Sequence, residues 1–568
     1  MIPPPLLRRL RLSAVALLGV AGAALWLALR PPSGAGLAGA AAHRLATIPF
    51  TDVHPWGANV FLEREVEAWK AEQTVVLAAD AGIRWAKQHL PWADVERERG
   101  RLDWAKYDRI VDVCDANGIE VIWRIDWTPA WAARDDHGPG ANNVPADPAD
   151  LARFVGEAAA HFKGRVRFYQ IWNEPNLASE WGYRPVDPAS YVALLAAAAA
   201  AARAADPAAV IIAAPLAINT ETLAEGDNLN DLDYLRGMYA AGAAEHFDIL
   251  AANAFGMDRP PNDPPAPDRL NFRRIELQRA IMREAGDDET PIWLSEYGWN
   301  AAPVGLADNI WGHVPAASQA EWTVEGVRLA QAEWPWAGVF GLWYFRQWGG
   351  IAPDRADYWF AAVMPDFTPT RLFDAVRDAA SGTIVAGPGF WQERSAPVRV
   401  TPGGRWRWLP REGASDGQAL VAQGASADGD DGAARPAEST AAPGAADRDG
   451  LVFTFRGRQV VARLATGRQA GTLAVELDGQ AQSPRALGGA EAAWADVTLV
   501  EGLDGGAHTL RLTAGAAGGE IALDHFRVDS GPPADPRTLW WALLALAAAA
   551  LLASILRDAR QVAVRLNA

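Results

Sequence analysis

Between residues 50 and 380, short apolar runs alternate with helical segments eight times, and this alternation restricts the fold more than any other feature of the chain. The runs lie at 57–62 (GANVFL), 82–88 (GIRWAKQ), 119–126 (IEVIWRID), 166–172 (VRFYQIW), 210–215 (VIIAAP), 247–255 (FDILAANAF), 291–296 (PIWLSE) and 338–345 (GVFGLWYF). They are rich in branched and aromatic residues and mostly apolar on both faces, as parallel strands covered by helices have to be. The intervening helices announce themselves. One has apolar residues at 151, 154, 155, 158, 159 and 162, with Asp147 as N-cap and Pro148 in the first turn. Another opens the same way at Asp187–Pro188 and has to stop before Pro207. Eight such units in about 330 residues predict an α/β fold, a (β/α)8 TIM barrel.

After about residue 395 the helical period disappears. Residues 411–450 are dominated by Gly, Ala, Asp, Ser and Pro and read as a loop, whose acidic stretch at 427–432 (ADGDDG) is a solvated turn. Alternating runs follow at 451–457, 459–465, 471–479, 495–503, 507–515 and 520–529, separated by turn residues, and predict a β-sandwich of jelly-roll type. The expected division is a membrane-directed segment at 1–44, a barrel at 45–385, a sandwich at 386–530 and a linker with a second membrane segment at 531–568.

The two membrane segments are uncharged stretches. Leu12 to Leu29 is preceded by Arg8, Arg9 and Arg11; Leu539 to Leu556 opens with Trp540 and Trp541 and is followed by Arg557 and Arg560. Each is about long enough to span a bilayer, and the arginines place both termini in the cytoplasm and the body outside. The first stretch reads equally as a signal peptide cleaved near 36–43 (GLAGAAAH), which also exports the body. A net charge of −17 argues against nucleic acid as a partner. The single cysteine, Cys114, excludes a disulfide framework within the chain and a cysteine-rich metal site; it falls on an amphipathic helix as a buried thiol. Tryptophan is abundant, 26 against 9 tyrosines, and its flat ring suits the apolar face of a sugar as well as a core.

Two stretches carry the chemistry: QIWNEPNLASEW (170–181) and PIWLSEYGWN (291–300). Glu174 and Glu296 end the fourth and seventh predicted strands, at the barrel face where active sites are built. Two carboxylates facing one pocket are what glycosidic cleavage requires, one protonated for the leaving oxygen and one ionised at the anomeric carbon. The bland alternative is that each caps a helix or pairs with an arginine.

IWNEPN and IWLSEYGW, in this order, resemble the clan A glycoside hydrolases, retaining (β/α)8 enzymes, and most nearly family 39 and its membrane-associated bacterial relatives that cut exopolysaccharide. Residues 82–132 (GIRWAKQHLPWADVERERGRLDWAKYDRIVDVCDANGIEVIWRIDWTPAWA) are similar to that family's second and third units, and the likeness spans about 50–380. The resemblance implies Glu174 as general acid/base, Glu296 as nucleophile and Asn173 as a ligand of the hydroxyl beside the anomeric carbon. It implies a tryptophan platform at Trp343, which Tyr344 follows. Arg84, on the second strand, either holds the nucleophile ionised or forms a structural pair. His89, Trp92, Asp126 and Trp127 either line the cleft or cap and pack, and Tyr297 lines it or turns outward. Strand six departs from the family: it reads NAF where relatives carry a His or Tyr bonded to the nucleophile. Asn253 can substitute there, while Phe255 cannot donate a hydrogen bond.

The expected function is a membrane-anchored extracytoplasmic retaining O-glycoside hydrolase of poly- or oligosaccharide. It needs no metal or redox cofactor, because two carboxylates supply protonation and covalent capture. Two alternatives stay open: a non-catalytic polysaccharide-binding or cell-envelope protein on a degenerate barrel, and a transglycosylase. The sandwich either binds sugar or acts as a spacer.

Overall fold

Eight parallel strands close into a barrel in chain order: β1 Trp56–Val60, β2 Trp85–Pro91, β3 Glu120–Asp126, β4 Phe168–Ile171, β5 Val210–Ala213, β6 Ile249–Phe255, β7 Ile292–Gly298 and β8 Ala337–Leu342, with β8 pairing back onto β1. The structure, a computed structural model, describes residues 48–134, 142–306, 308–380, 386, 388–393, 395, 397–400, 406–415, 417–423, 450–504, 506–515 and 519–529, with 552, 553, 556, 557 and 560. Each strand is followed by a longer helix: α1 Ala68–Asp80, α2 Ala105–Ala116, α3 Pro148–His161, α4 Pro188–Ala205, α5 Asp231–Ala240, α6 Ile275–Glu284, α7 Ala316–Glu333 and α8 Arg371–Ala380. The expected caps are in place: Asp147 accepts from Ala149 N, and Asp187 from Ala189 N and Ser190 N. Cys114 is buried on α2, where desolvation pushes its thiol up to about 12.

Strand alternation sorts side chains into two shells. Ala86 and Leu90 of β2, with Leu250 and Ala252 of β6, face the helices in the main core. Trp85, Ile122, Phe168, Ile212, Ala251, Trp293 and Val339 face the axis and fill the lower barrel. There Phe168 stacks on Trp293 at 5.2 Å between centroids, and Trp85 meets both edge-on. The floor below the active face is therefore aromatic and apolar.

One irregularity decides what β7 presents. Ala252 of β6 pairs with Leu294, but the next residue, Asn253, pairs with Glu296, so Ser295 is an extra residue in β7. Such a bulge breaks the two-residue alternation. Ser295 and Glu296 consequently both face the axis, and Tyr297 turns outward against Phe272 and Phe340. Gly341 of β8 makes room for it, since a Cβ there would lie 2.5 Å from the Ser295 carbonyl oxygen.

The second half is a β-sandwich. One sheet runs β10 (Val398–Val400), β13 (Leu451–Arg456), β19 (Ala507–Ala514), β15 (Thr472–Leu477) and β16 (Gln480–Ala481), with β17 (Arg485–Ala486) on β15. The other runs β11 (Trp406–Pro410), β12 (Gln418–Gln423), β20 (Glu520–Asp529), β14 (Gln459–Thr466) and β18 (Ala493–Val500), with β9 (Gly389–Gln392) on β20. Phe453, Phe526, Leu464, Leu510 and Leu523 lie in the core between them. β12 falls where composition alone reads as loop; residues 427–432 lie outside the described residues. Barrel and sandwich belong to one compact unit, Thr47–Asp529, joined in part by the Ser395 hydroxyl, which donates to Asp52 at 2.7 Å.

The membrane segments expected at 12–29 and 539–556 lie outside the described residues, apart from Leu552, Ala553 and Leu556. Among the described residues, one helix is long and apolar enough to cross a membrane, Pro188–Ala205. This is α4, whose alanine-rich side lies on α3: a Cβ on Gly156 would meet Ala201 at 3.5 Å. Its apolarity is that of a barrel helix.

Candidate active site

Glu174 leaves β4 on a tightly held turn. Trp172 (φ 74°) and Glu174 (φ 41°) occupy left-handed backbone, a conformation that side chains adopt only where surroundings impose it. Here Glu174 N donates to Pro215 O at 3.0 Å, and Asn176 Nδ2 donates to Ala217 O and Leu229 O. The Glu174 carboxylate accepts from Asn253 Nδ2 at 2.6 Å. Desolvation, followed by the charges of Glu296 and Glu180, pushes Glu174 up to about 8 against that hydrogen bond and Arg124. These surroundings favour its protonated form.

Glu296 has the opposite environment. Lys87 Nζ reaches its Oε1 at 2.8 Å, both side chains being buried. Burial draws the Lys87 ammonium below its ordinary range, against the attraction of Glu296. The same Nζ donates to Ser295 Oγ at 2.7 Å, Ser295 Oγ to Gln170 Oε1 at 3.0 Å, and Gln170 Nε2 to Trp172 O at 2.8 Å. A polar layer thus lies directly on the aromatic floor and ties the base of β7 to the turn that carries Glu174. Asn173, only 4% exposed, has an Oδ1 without a hydrogen-bond partner beside this pair.

Toward the C-terminal ends of β2 and β3, His89 Nε2 bonds Asp126 Oδ1, and Arg124 Nε donates to Asp126 Oδ2 at 2.7 Å. Burial alone would raise the Asp126 carboxyl; Arg124 and His89 overcome it and hold it well below the usual range. Trp127 (φ 59°) is 42% exposed, with its ring edge-on to His89. Trp343 is half-buried at the end of β8, edge-on to Phe61, in an apolar cluster with Phe255, Met257, Trp311 and Tyr344. The Trp343–Tyr344 peptide is cis.

Four expectations are corrected. Arg84 does not reach Glu296: β2 begins at Trp85, so Arg84 stands at its N-terminal entry, donating to Ile83 O at 3.0 Å and lining a cavity of about 330 Å³ against the sandwich. The cation on Glu296 is Lys87. Asn253 bonds Glu174 rather than the nucleophile candidate. Trp92 is fully buried in the helical turn Trp92–Val95, near-parallel to Phe154 and bonded to Glu96 at 2.7 Å, so it cannot line the cleft. Tyr297 is buried outside the barrel wall, its hydroxyl without a hydrogen-bond partner and desolvation raising it. Sequence reasoning also missed Arg124, Glu180, Gln170 and Ser295. The signal for Lys87 lay in WAKQH, where residues 85, 87 and 89 share a face.

Residues 60–227, from the end of β1 to beyond β5 and including Glu174, match the model of Glycosyl hydrolase family 10. This region, which holds the first of the two motifs, is similar to glycoside hydrolases, in keeping with the clan A resemblance of that motif. A search of the curated proteins finds no match. Among solved structures, a family 39 glycoside hydrolase from Bacteroides cellulosilyticus WH2 aligns at 16% identity and TM-score 0.44, over 82% of this chain and 81% of that one. The family 39 enzyme of Xanthomonas axonopodis pv. citri aligns at 12% identity and TM-score 0.44, over 84% and 94%. A family 39 β-xylosidase from Caulobacter crescentus aligns at 14% identity and TM-score 0.44, over 82% and 96%.

Proposed function

We propose that the protein is a retaining O-glycoside hydrolase acting on a poly- or oligosaccharide, with Glu174 as proton donor and Glu296 as nucleophile. The observation that carries this reading is the pair of carboxylates at one barrel mouth in different surroundings: Glu174 desolvated and bonded to the Asn253 amide, Glu296 2.8 Å from the Lys87 ammonium. Environments that push two carboxyl groups apart assign acid and nucleophile.

In the first step Glu174 gives its proton to the glycosidic oxygen while Glu296 attacks the anomeric carbon; the glycosidic bond breaks and a glycosyl ester forms on Glu296. In the second, Glu174, now a carboxylate, takes a proton from water as that water attacks the same carbon and the ester bond breaks. Asn173 meets the neighbouring hydroxyl with a carbonyl oxygen that has no protein partner. Asn253 keeps the acid aimed, and Lys87 compensates the charge that Glu296 carries before attack and regains in the second step.

The test incubates the detergent-purified protein and its Glu296→Gln variant with bacterial polysaccharides and aryl β-glycosides, following reducing ends. Release by the wild type alone supports the reading. Tight binding of one polysaccharide by both forms without release would replace it with a binding role. Two uncharged segments at 12–29 and 539–556, with arginines toward the termini, support membrane anchorage with the barrel outside the cytoplasm. Protease treatment of intact cells tests this: digestion of the barrel is expected, and protection would refute it.

A further inference from the structure

Two glutamates suffice for the bond-breaking chemistry, yet a third carboxylate stands beside them. Glu180 ends the single 3-10 turn Ala178–Glu180, six residues after Glu174. Two carboxylates that act on it have a cation of their own, Arg124 at 2.7 Å from Asp126 and Lys87 at 2.8 Å from Glu296. Among the described residues Glu180 has no salt bridge; its Oε2 accepts one hydrogen bond, 3.0 Å from Asn142 Nδ2. Burial first, then the charges of Asp126 and Glu296, raise its carboxyl above the usual range despite Arg124 and Asn142.

Its position is built. Trp172 Nε1 donates to Glu180 O at 2.8 Å, and Asn142 N to Ser179 O at 3.3 Å. The Asn142 amide, 3% exposed, also accepts from Trp127 N at 3.0 Å. One buried side chain therefore orients both the Glu180 carboxylate and the backbone that presents the exposed Trp127 ring in left-handed geometry. An exposed indole with a fixed acceptor near it matches a pyranose, which offers an apolar face and equatorial donors. Asn173 adds its unpartnered buried oxygen toward the catalytic pair.

We propose that Trp127 and Glu180 form a sugar subsite adjoining the catalytic pair, with Glu180 as the specificity-determining residue. The subsite takes a unit that presents a donor, a free amine above a hydroxyl, and rejects a uronic acid. It rests on the glycosidase reading. Among the described residues Glu180 has no ion-pair contact of its own and shares Arg124 with Asp126, so an ammonium adds a direct partner and a second carboxylate adds repulsion. Among the described residues around it, the cations Lys87 and Arg124 already contact Glu296 and Asp126, His89 bonds Asp126, and Glu174 adds a further carboxyl, which disfavours an acidic sugar.

The experiment compares kcat/KM for the glycoside the wild type cleaves best with versions carrying an amine for one hydroxyl or a carboxylate at the primary alcohol. The wild type is expected to favour the amine over the acid by at least about 10-fold, the scale of one charge-assisted hydrogen bond. Glu180→Gln is expected to bring that ratio to within about 3-fold, mainly through KM, with Glu180→Asp partly restoring it. An unchanged ratio in Glu180→Gln, or wild-type preference for the acid, overturns the subsite. The same compounds are titrated against Glu296→Gln. Amine-selective binding without wild-type turnover would sink the glycosidase reading and leave the subsite standing; neither binding nor turnover would sink both.

Discussion

Replacing Lys87 with methionine tests the electrostatic core of the mechanism, because the side chain keeps its length and loses only its charge and donors. Lys87 Nζ lies 2.8 Å from Glu296 Oε1, with both side chains almost fully buried. At an effective dielectric constant of about 20, that separation corresponds to about 6 kcal/mol of attraction. Arg124 also acts on Glu296 and remains in the variant, so the lower end of the ~3–5 kcal/mol penalty for breaking a buried pair applies. A loss of about 3 kcal/mol corresponds to a fall in kcat/KM of about 100-fold.

The assay is kcat/KM from pH 4 to 10 on an aryl glycoside for wild type, Lys87→Met and Lys87→Arg, with melting curves to confirm folding. In Lys87→Met the maximum should fall about 100-fold, the usual scale for one preorganised charge. Lys87→Arg should keep most of the activity and lose it only through crowding. A folded Lys87→Met that keeps kcat/KM within about 3-fold of the wild type across the range, judged against the loss expected from a broken buried pair, would mean that Lys87 is structural.

Glu174→Gln should lower cleavage of unactivated glycosides by about 100- to 10,000-fold, while raising thermal stability. The sign follows from a folded pKa above the unfolded one: stability falls as pH rises from about 4.5 to 8, by at most about 1.4 kcal/mol per unit, and the amide escapes this loss. Melting temperatures at pH 5 and 8 check it, with the variant's advantage confined to the higher pH. Asn253→Ala removes the hydrogen bond that favours ionised Glu174, so the alkaline limb of kcat/KM should move up; a downward shift would assign Asn253 another role. Gly256→Ala would place a Cβ 1.9 Å from the Trp299 ring and should destabilise by about 1–3 kcal/mol in denaturant melts, with little change in KM.

The barrel was legible because its strands are buried on both faces and its helices carry Asp-Pro starts, so local signals and global fold agree. The proposed catalytic pair was legible because two carboxylates end matching strands, where either one alone could cap a helix or pair with an arginine. What failed was register and direction. GIRWAKQ reads as one apolar strand, but Gly82 has φ +81° and closes α1 against Ala380, so the strand starts three residues later and Lys87, not Arg84, faces the pocket. Alternation alone would point Glu296 outward with Leu294; the Ser295 bulge turns it in and sends Tyr297 out, and a bulge leaves no one-residue signature. Trp92 and Trp127 each follow a strand end, yet one enters a helical turn and stacks while the other opens to solvent. That difference is set by the loops that follow, which no local pattern encodes.

The layering of the barrel explains why these few substitutions suffice to separate two carboxylates on one mouth. Below lies the floor of Trp85, Phe168 and Trp293, which is apolar and lets charges above it interact strongly. On it rests the layer Lys87–Ser295–Gln170, which gives Glu296 a cation and ends on the backbone of the turn bearing Glu174. Glu174 sits on the far side of that chain, bonded only to a neutral amide, so the same low dielectric that strengthens the Lys87 pair penalises its ionisation. The two surroundings differ by one asymmetry: the cation stands on β2 against Glu296 of β7, whereas Glu174 after β4 is bonded to a neutral amide. The bulge is what lets β7 meet it, since without the extra residue Ser295 would still reach Lys87 but Glu296 would face the helices. The proposed division of roles thus depends on backbone geometry in β7, for which Gly341 leaves space on β8.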